Sequence, residues 1–231
     1  MEIRNYTNEQ IQTIQAAFMS KVYSWMSGGL AITGLIAMWV ASISGIGQMI
    51  QENRMLFFGL FIGEIFLVGY LISRINKISA QTAGIIFTGY AALNGLTLSV
   101  VFLMYTPESI GSTFLVTAGT FAIMSMYGYY TKKDLTSWGN LLFMALIGII
   151  IASVVNFFMQ STMMYWLITY AGVFIFVGLT AYDTQKIKRM SGTSEVGSEE
   201  ESKNAIVGAL MLYLDFINLF LLLLRILGDR K

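Results

Sequence analysis

The stretch "GALMLYLDFINLFLLLLRILG", residues 208–228, places an ionisable residue, Asp215, in the middle of a run apolar enough to cross a membrane. About 20 apolar residues are enough to span a hydrocarbon core of about 30 Å. Of the 231 residues in the chain, 56% are hydrophobic and 12% are charged. An ordinary soluble domain carries about 25% charged residues. The composition therefore indicates a protein whose surroundings are lipid.

Uncharged runs of spanning length recur along the whole chain and predict an all-α membrane protein with seven transmembrane helices. A transmembrane barrel is the alternative, but its strands would alternate in hydrophobicity, and these runs are apolar on every face. We treat residues 1–231 as a single transmembrane domain, with residues 1–24 as a cytoplasmic N-terminal segment. The predicted spans are about 25–47, 55–73, 78–105, 110–130, 135–159, 163–190 and 205–227.

The last span is predicted to be the central helix, surrounded by the other six. Tyr213 points to the opposite side of it from Asp215 and Asn218. A helix with polar groups on several sides must be enclosed by other helices, because lipid cannot satisfy those groups.

The N-terminal stretch "MEIRNYTNEQIQTIQ" is polar and lacks the basic start and apolar core of a signal peptide, so we expect no cleaved signal. Thr7 and Gln10 have the spacing of a capping box that opens a helix. Ile11, Ile14 and Phe18 share one face of that helix. We interpret the segment as an amphipathic lead-in to the first span, with a partner-binding arm as the alternative.

The basic residues predict the orientation through the positive-inside rule, which places Lys and Arg in the cytoplasm. One side of the predicted topology holds Arg4, Lys21, Arg74, Lys77, Lys132, Lys133, Lys186, Lys188, Arg189 and Lys203. The other side holds Arg54, Arg225, Arg230 and Lys231. We therefore expect a cytoplasmic N-terminus and a C-terminus outside.

Several classes of chemistry have no residues to perform them. The chain has no His and no Cys, which excludes thiol nucleophiles, His bases, disulfides and imidazole or thiolate metal sites. A hard cation held by oxygen atoms stays open. Neither a phosphate-binding glycine loop nor a basic groove with aromatic residues is present, so nucleotides and nucleic acids are not expected ligands. We expect no enzyme activity and no high-affinity metal site.

Three acids lie within or against the spans, namely Glu64, Asp183 and Asp215. Each costs about 2.5 to 3.5 kcal/mol at a helix centre, so each is a functional candidate. The sixth helix has no breaker before Met190, which would place Asp183 deep enough to meet Asp215. Both carboxyls cannot ionise cheaply in a low dielectric, so they should share one proton. Asn218 lies on the same face as Asp215 and can donate to it.

Each of these acids also has a structural interpretation. The aspartates can be hydrogen-bonded packing residues, and Glu64 can merely line a wet cavity. Arg74 is either a topology anchor or a cation that reaches Asp183 from the second helix.

The chain resembles the Bax inhibitor-1 family, also called the transmembrane Bax inhibitor motif family, in its bacterial YccA and YbhL-type branch. The matching stretches are "GLTLSVVFLMYTPESIGSTFLVTAG", "MSMYGYYTKKDLTSWGNLLFMALIGIIIASVVNFF", "VGLTAYDTQKIK" and "GALMLYLDFINLFLLLLRILG". The resemblance implies seven helices around a central last helix in the bacterial cytoplasmic membrane. It also implies a Ca²⁺-permeable leak whose opening depends on pH.

The resemblance further assigns roles to individual residues. "YDTQ" supplies Asp183 and "YLDF" supplies Asp215 as the proton-sensing pair, where Ca²⁺ would bind only transiently as the permeant ion. Arg74 is the candidate for the family's arginine that pairs with the first of these acids when the pore is shut. Apart from the resemblance, Asn218 and Glu64 are further candidates for a gate lock or a supporting polar group. No resident cofactor is implied. The loop "SGTSEVGSEEESKN", residues 191–204, is read as a solvated linker or else as a cation-attracting vestibule.

Three functions compete at this stage. The first is a pH-sensitive calcium leak gated by the aspartate pair. The second, taken from the resemblance, is a regulator that binds a membrane protease or another membrane partner. The third is an intramembrane aspartyl protease, which also uses one aspartate on each of two helices. The Gly-x-Gly-Asp and Pro-Ala-Leu elements of that protease class are absent from the sequence.

Overall fold

The computed structural model describes residues 7–43 and 45–231, without the side chains at positions 47, 48, 51 and 54. Within this part of the chain, eight α-helices and one short 3-10 helix follow one another. They are α1 (Asn8–Ser42), α2 (Ile46–Glu52), α3 (Arg54–Arg74), the 3-10 helix (Ile75–Lys77), α4 (Ala80–Met104), α5 (Pro107–Tyr130), α6 (Thr136–Met159), α7 (Thr162–Met190) and α8 (Glu199–Leu227). The expectations for Arg4 and for the Arg54 side chain lie outside the described residues.

Seven of the described helices are long and apolar enough to cross a membrane, which confirms the predicted fold class. They are α1 and α3 to α8. The only strand-like pairing in the described chain is an isolated bridge between Tyr105 and Arg230, so the barrel alternative is wrong. The sixth span does continue to Met190, as the absence of a helix breaker predicted.

The first span differs most from its predicted bounds. α1 begins at Asn8, so the lead-in and the span form one continuous helix of 35 residues. The predicted capping box is present: Thr7 Oγ1 accepts from the Gln10 amide at 3.3 Å, and the Thr7 amide donates to Gln10 Oε1 at 2.9 Å. α1 ends at Ser42 rather than at residue 47, because Ile43 is extended and Gly45 adopts a left-handed conformation with φ 93°.

The chain separates into two compact units. The first contains the described residues of Met1–Val100 together with Lys186–Leu210, and the second contains Val101–Gln185 with Met211–Lys231. The expectation of a single transmembrane domain stays a prediction.

In the first unit, α1 packs on α4. Thr33 is buried in α1 and its hydroxyl donates to the Ala91 carbonyl oxygen at 2.8 Å. About two turns before Thr33, the ring of Trp25 meets Phe87 edge to face with 6.1 Å between centroids. A polar bond and an aromatic contact thus fix the same pair of helices.

In the second unit, α7 and α8 form an apolar core. Buried Ile175, Phe176 and Leu179 of α7 pack with Leu219 of α8. Rings of α5 also pack against α8. α6 lies at the edge of this unit, since none of its most apolar stretch is buried. Its long apolar faces are therefore suited to lipid.

α8 is the most enclosed of the spans. Of the residues in its most apolar stretch, 67% are buried, compared with at most 33% in any other candidate span of the described chain. This burial agrees with the prediction that the last helix is central.

Candidate functional site

Asp215 is an unsatisfied acid in the middle of α8. Only 4% of its surface is exposed. Its Oδ2 atom has no hydrogen-bond partner among the described residues. Nearly all buried polar atoms in proteins have such a partner, and an unpaired buried charge is costly. Asp215 is therefore costly to keep ionised at this position, and its role stays a prediction.

Asp183 of α7 is the acid that acts on Asp215. It is half-buried, and its carboxyl group interacts electrostatically with the Asp215 carboxyl within the second unit. Two acids that interact away from bulk water are accommodated most cheaply with one proton between them. The structure thus brings together the two aspartates that the sequence analysis paired. Their role in sensing protons stays a prediction.

The two residues after Asp183 tie this part of α7 to its surroundings. The Thr184 hydroxyl donates to the Thr180 carbonyl oxygen at 2.7 Å and is hydrogen-bonded with the Ser125 hydroxyl of α5 at 3.2 Å. Gln185 donates through Nε2 to the Lys133 carbonyl oxygen at 2.8 Å. The Leu135 amide donates back to Gln185 Oε1 at 2.9 Å. Gln185 therefore bridges α7 to the connection between α5 and α6.

The two residues before Asp183 are held by direct backbone contact. A Cβ atom on Gly128 of α5 would overlap the Ala181 carbonyl oxygen. A Cβ atom on Gly139 of α6 would overlap the Tyr182 ring. Only glycine lets α5 and α6 approach α7 so closely at these points. The two residues on each side of Asp183 thus make contacts that restrain its position.

Glu64 forms a separate polar cluster in the first unit. It is buried in α3, with 7% of its surface exposed. Thr97 Oγ1 of α4 donates to Glu64 Oε1 at 2.6 Å, and Asn94 Nδ2 donates to Oε2 at 3.3 Å. Tyr90, also on α4, interacts with Glu64 electrostatically. Glu64 is therefore joined to three polar residues of α4 rather than standing alone.

The two other predicted polar residues have different environments. Arg74 is exposed in the last turn of α3, and no salt bridge links it to a described residue of its own unit. Its pairing with Asp183 would join the two units and stays a prediction. Asn218 donates through Nδ2 to the Leu214 carbonyl oxygen at 2.8 Å. That carbonyl lies one turn back along the same helix, so this amide hydrogen bond is local rather than directed to Asp215.

The acidic start of α8 was not identified as a contact from the sequence. Glu199 and its neighbours are helical rather than part of a solvated linker, because α8 begins at Glu199. Glu201 is buried and forms a 2.9 Å salt bridge with Lys21 of α1. It also accepts from the Gly197 amide at 2.7 Å. Glu199 accepts from the Ala80 amide at 3.0 Å, which caps the first turn of α4. The interpretation of this segment as a solvated linker is therefore wrong for its second half.

Comparison with known sequences identifies the family. The family model for the inhibitor of apoptosis-promoting Bax1 matches residues 15–231. The chain belongs to the Bax inhibitor-1 family. It is 50% identical over 217 residues to the inner membrane protein YbhL of Escherichia coli, covering 93% of this chain and 92% of that protein. It is also 36% identical over 227 residues to an uncharacterized membrane protein of Streptococcus pyogenes, covering 96% of each chain.

The family match places the acidic pair within a known class of membrane proteins. These relatives are named as membrane proteins and not as enzymes. The match covers both α7 and α8, so Asp183 and Asp215 lie within the matched region. The resemblance to the Bax inhibitor-1 family inferred from the four quoted stretches is confirmed.

Proposed function

We propose that this protein is a pH-sensitive cation leak of the cytoplasmic membrane, with Ca²⁺ as the permeant ion. The number of protons bound to Asp183 and Asp215 determines whether it is open or closed. The observation that carries this proposal is that Oδ2 of buried Asp215 has no hydrogen-bond partner among the described residues. The same carboxyl group interacts electrostatically with a second acid, Asp183. The buried oxygen of a packing residue would be hydrogen-bonded, as Glu201 Oε2 is by Lys21 and by the Gly197 amide.

The gate follows from the charge on the pair. With one proton, a charge-assisted hydrogen bond can hold the two carboxyl groups together, and such bonds are about twice as strong as neutral ones. A second proton removes the negative charge and weakens this bond. Acidification therefore loosens α7 from α8 at the level of the pair, and the flux should rise.

The composition of the site suits passage rather than storage of Ca²⁺. Ca²⁺ takes six to eight oxygen ligands in a tight site. In the part of the chain that the structure describes, no three acidic residues are placed so that they could hold one metal ion together. Two carboxyl groups alone provide too few ligands for a tight site, so the ion binds transiently.

The test is Ca²⁺ flux into dye-loaded proteoliposomes that contain the full chain, measured at a series of pH values. We expect the flux to vary with pH in the native chain and to lose this dependence in Asp215→Asn and Asp183→Asn. Glu200→Gln is the matched control, because Glu200 is an exposed acid on the same helix as Asp215. A pH dependence that persists unchanged in Asp215→Asn contradicts the gate.

The orientation is part of the proposal and has its own test. We place the N-terminus in the cytoplasm and the C-terminus outside, by the distribution of basic residues. The chain has no cysteine, so single cysteines can be labelled without background. A membrane-impermeant maleimide should label Lys231→Cys in intact cells and Lys132→Cys only after lysis. The reverse pattern would invert the topology.

A regulator that binds a membrane protease or another membrane partner is the alternative function. Co-purification of a partner that survives Asp215→Asn, together with a flux that does not respond to pH, would favour it. An intramembrane aspartyl protease is the minor alternative. It would be supported by cleavage of a helical substrate that stops when either aspartate is replaced.

A further inference from the structure

A cationic pocket lies at one end of the second unit, away from the acidic pair. Its volume is about 520 Å³. It lies where α6 ends at Met159, where α7 begins at Thr162 and beyond the last turn of α8. Arg225 and Arg230 are both part of its wall. The pocket therefore lies at the ends of three spans, where a membrane protein meets the lipid headgroups.

The two arginines carry charges that no acid neutralises. None of the residues lining the pocket is acidic, and neither arginine forms a salt bridge with a described residue. The Arg225 guanidinium lies 5.5 Å from the centre of the Tyr165 ring, and that of Arg230 lies 5.7 Å from the Tyr105 ring. Arg230 also hydrogen-bonds the side chains of Tyr105 and Tyr165. A guanidinium has five N–H donors, so both arginines keep donors that can bind an anion.

Neutral donors complete the wall of the pocket. Gln160, Ser161 and Thr162 line it next to the two cations. Gln160 adopts a left-handed conformation, φ 51° and ψ 34°, that turns the chain sharply between α6 and α7. The Ser161 amide is already bound, because it donates to Asn156 Oδ1 at 3.0 Å. Amide and hydroxyl groups beside paired guanidinium groups are the donors that recognise phosphate oxygens.

The surroundings of the pocket are apolar and face outward. Phe158 is 78% exposed at the end of α6, and Met163 is 79% exposed at the start of α7. Trp166 lines the pocket and stacks on Tyr170 with 5.8 Å between ring centroids. Trp and Tyr side chains are enriched where a membrane protein passes the headgroup level. A ligand with its charged group in the pocket would thus place an attached acyl chain along these exposed apolar residues.

We propose that this pocket binds the headgroup phosphate of an anionic phospholipid, with Arg225 and Arg230 as the phosphate ligands. Charge complementarity requires an anion, and the exposed apolar residues beside the pocket favour one attached to acyl chains. The site does not depend on the proposed gate, since the acidic pair does not line it. Each arginine near a membrane surface should strengthen binding of an anionic lipid roughly fivefold.

The test is native mass spectrometry of the full chain in detergent, titrated with phosphatidylglycerol, phosphatidylcholine or inorganic phosphate. We expect phosphatidylglycerol to bind more tightly than phosphatidylcholine and not to be displaced by equimolar inorganic phosphate. Arg225→Gln should weaken phosphatidylglycerol binding roughly fivefold, and adding Arg230→Gln roughly twenty-five-fold. Lys132 is exposed just after the last residue of α5 and does not line the pocket. Lys132→Gln removes the same charge there and should leave phosphatidylglycerol binding unchanged.

Three results would overturn the proposal. The first is unchanged phosphatidylglycerol affinity in the double variant. The second is equal binding of the two lipids by the native chain, which needs no variant and therefore decides the question even if the double variant fails to fold. The third is displacement of the lipid by inorganic phosphate, which would make this a site for the free anion. Arg225→Lys should retain part of the affinity, because it keeps the charge without the two-pronged geometry of guanidinium.

Discussion

Replacing Gly128 by alanine tests whether the close approach of α5 to α7 positions Asp183. The added methyl group would overlap the Ala181 carbonyl oxygen and would lie 2.9 Å from its carbonyl carbon. Ordinary contact to a Cβ atom begins at 3.4 Å. The obstacle is helix backbone rather than the end of a flexible side chain, so neither helix can accommodate the methyl group by a rotamer change. The two helices must separate.

The expected cost follows from this geometry. Inserting a methyl group into a closely packed contact costs about 1 to 3 kcal/mol. Alanine is favoured over glycine inside a helix by about 1 kcal/mol, and this gain acts in the opposite direction. Because the overlap is with backbone, we expect the upper part of the packing range to apply. The net loss of unfolding free energy should therefore be about 1 to 2 kcal/mol.

Gly119→Ala provides the matched control on the same helix. No atom lies within 4 Å of a Cβ built on Gly119, so this substitution should be neutral or stabilising. The two variants should be compared by unfolding in mild detergent, and their Ca²⁺ flux should be measured against pH. Gly128→Ala should be less stable than Gly119→Ala and should have an altered pH response. Equal stability of the two variants would refute the importance of the close approach.

Three further substitutions test single contacts. Glu201→Gln should lower the unfolding free energy by about 1 to 2 kcal/mol, because it breaks a salt bridge whose Lys21 end is half-exposed. Thermal unfolding measures this loss, and an unchanged unfolding temperature would mean that the salt bridge is not stabilising. Gln185→Ala should speed hydrogen exchange at the Leu135 amide, which loses its acceptor; exchange at the native rate would contradict the bridge to the α5–α6 connection. Thr97→Val should destabilise the chain by about 1.5 to 3 kcal/mol in thermal unfolding, since a buried carboxyl loses its donor, whereas Thr97→Ser should be close to the native chain.

The number and order of the spans could be predicted because each depends only on the length of an uncharged run. The start of α8 could not, and neither could the continuity of the N-terminal lead-in helix with the first span. A span predicted from the charge pattern ends where charged side chains begin, but the helix itself can continue into water beyond that point. Thr7 caps α1, so the helix starts well before the first predicted span. α8 begins at Glu199 because its acidic first turn is bonded to other helices of the first unit.

The pairing of Asp183 with Asp215 could be predicted from how deep each residue lies in its span. The two residues are on consecutive helices that run in opposite directions, so their depths can be compared. The surroundings of the pair needed the structure. Gln185 binds a connection about 50 residues earlier in the chain, and sequence periodicity does not indicate such a partner. Likewise, glycines inside the spans look alike in the sequence. Gly119 faces open space while Gly128 abuts another helix, and only the rotation of the helix distinguishes them.

The two buried acids of α8, Glu201 and Asp215, differ in their hydrogen bonding, and this difference predicts different roles for them. Glu201 is bound by Lys21 and by the Gly197 amide, so its loss should reduce stability and leave the response to pH unchanged. Asp215 is equally buried, yet its Oδ2 has no hydrogen-bond partner among the described residues. An amide at this position removes a buried charge and can donate to Asp183. Asp215→Asn should therefore unfold at the same temperature as the native chain or at a higher one, while its Ca²⁺ flux no longer varies with pH. If Asp215→Asn instead lost stability together with the pH dependence of its Ca²⁺ flux, Asp215 would be a structural residue.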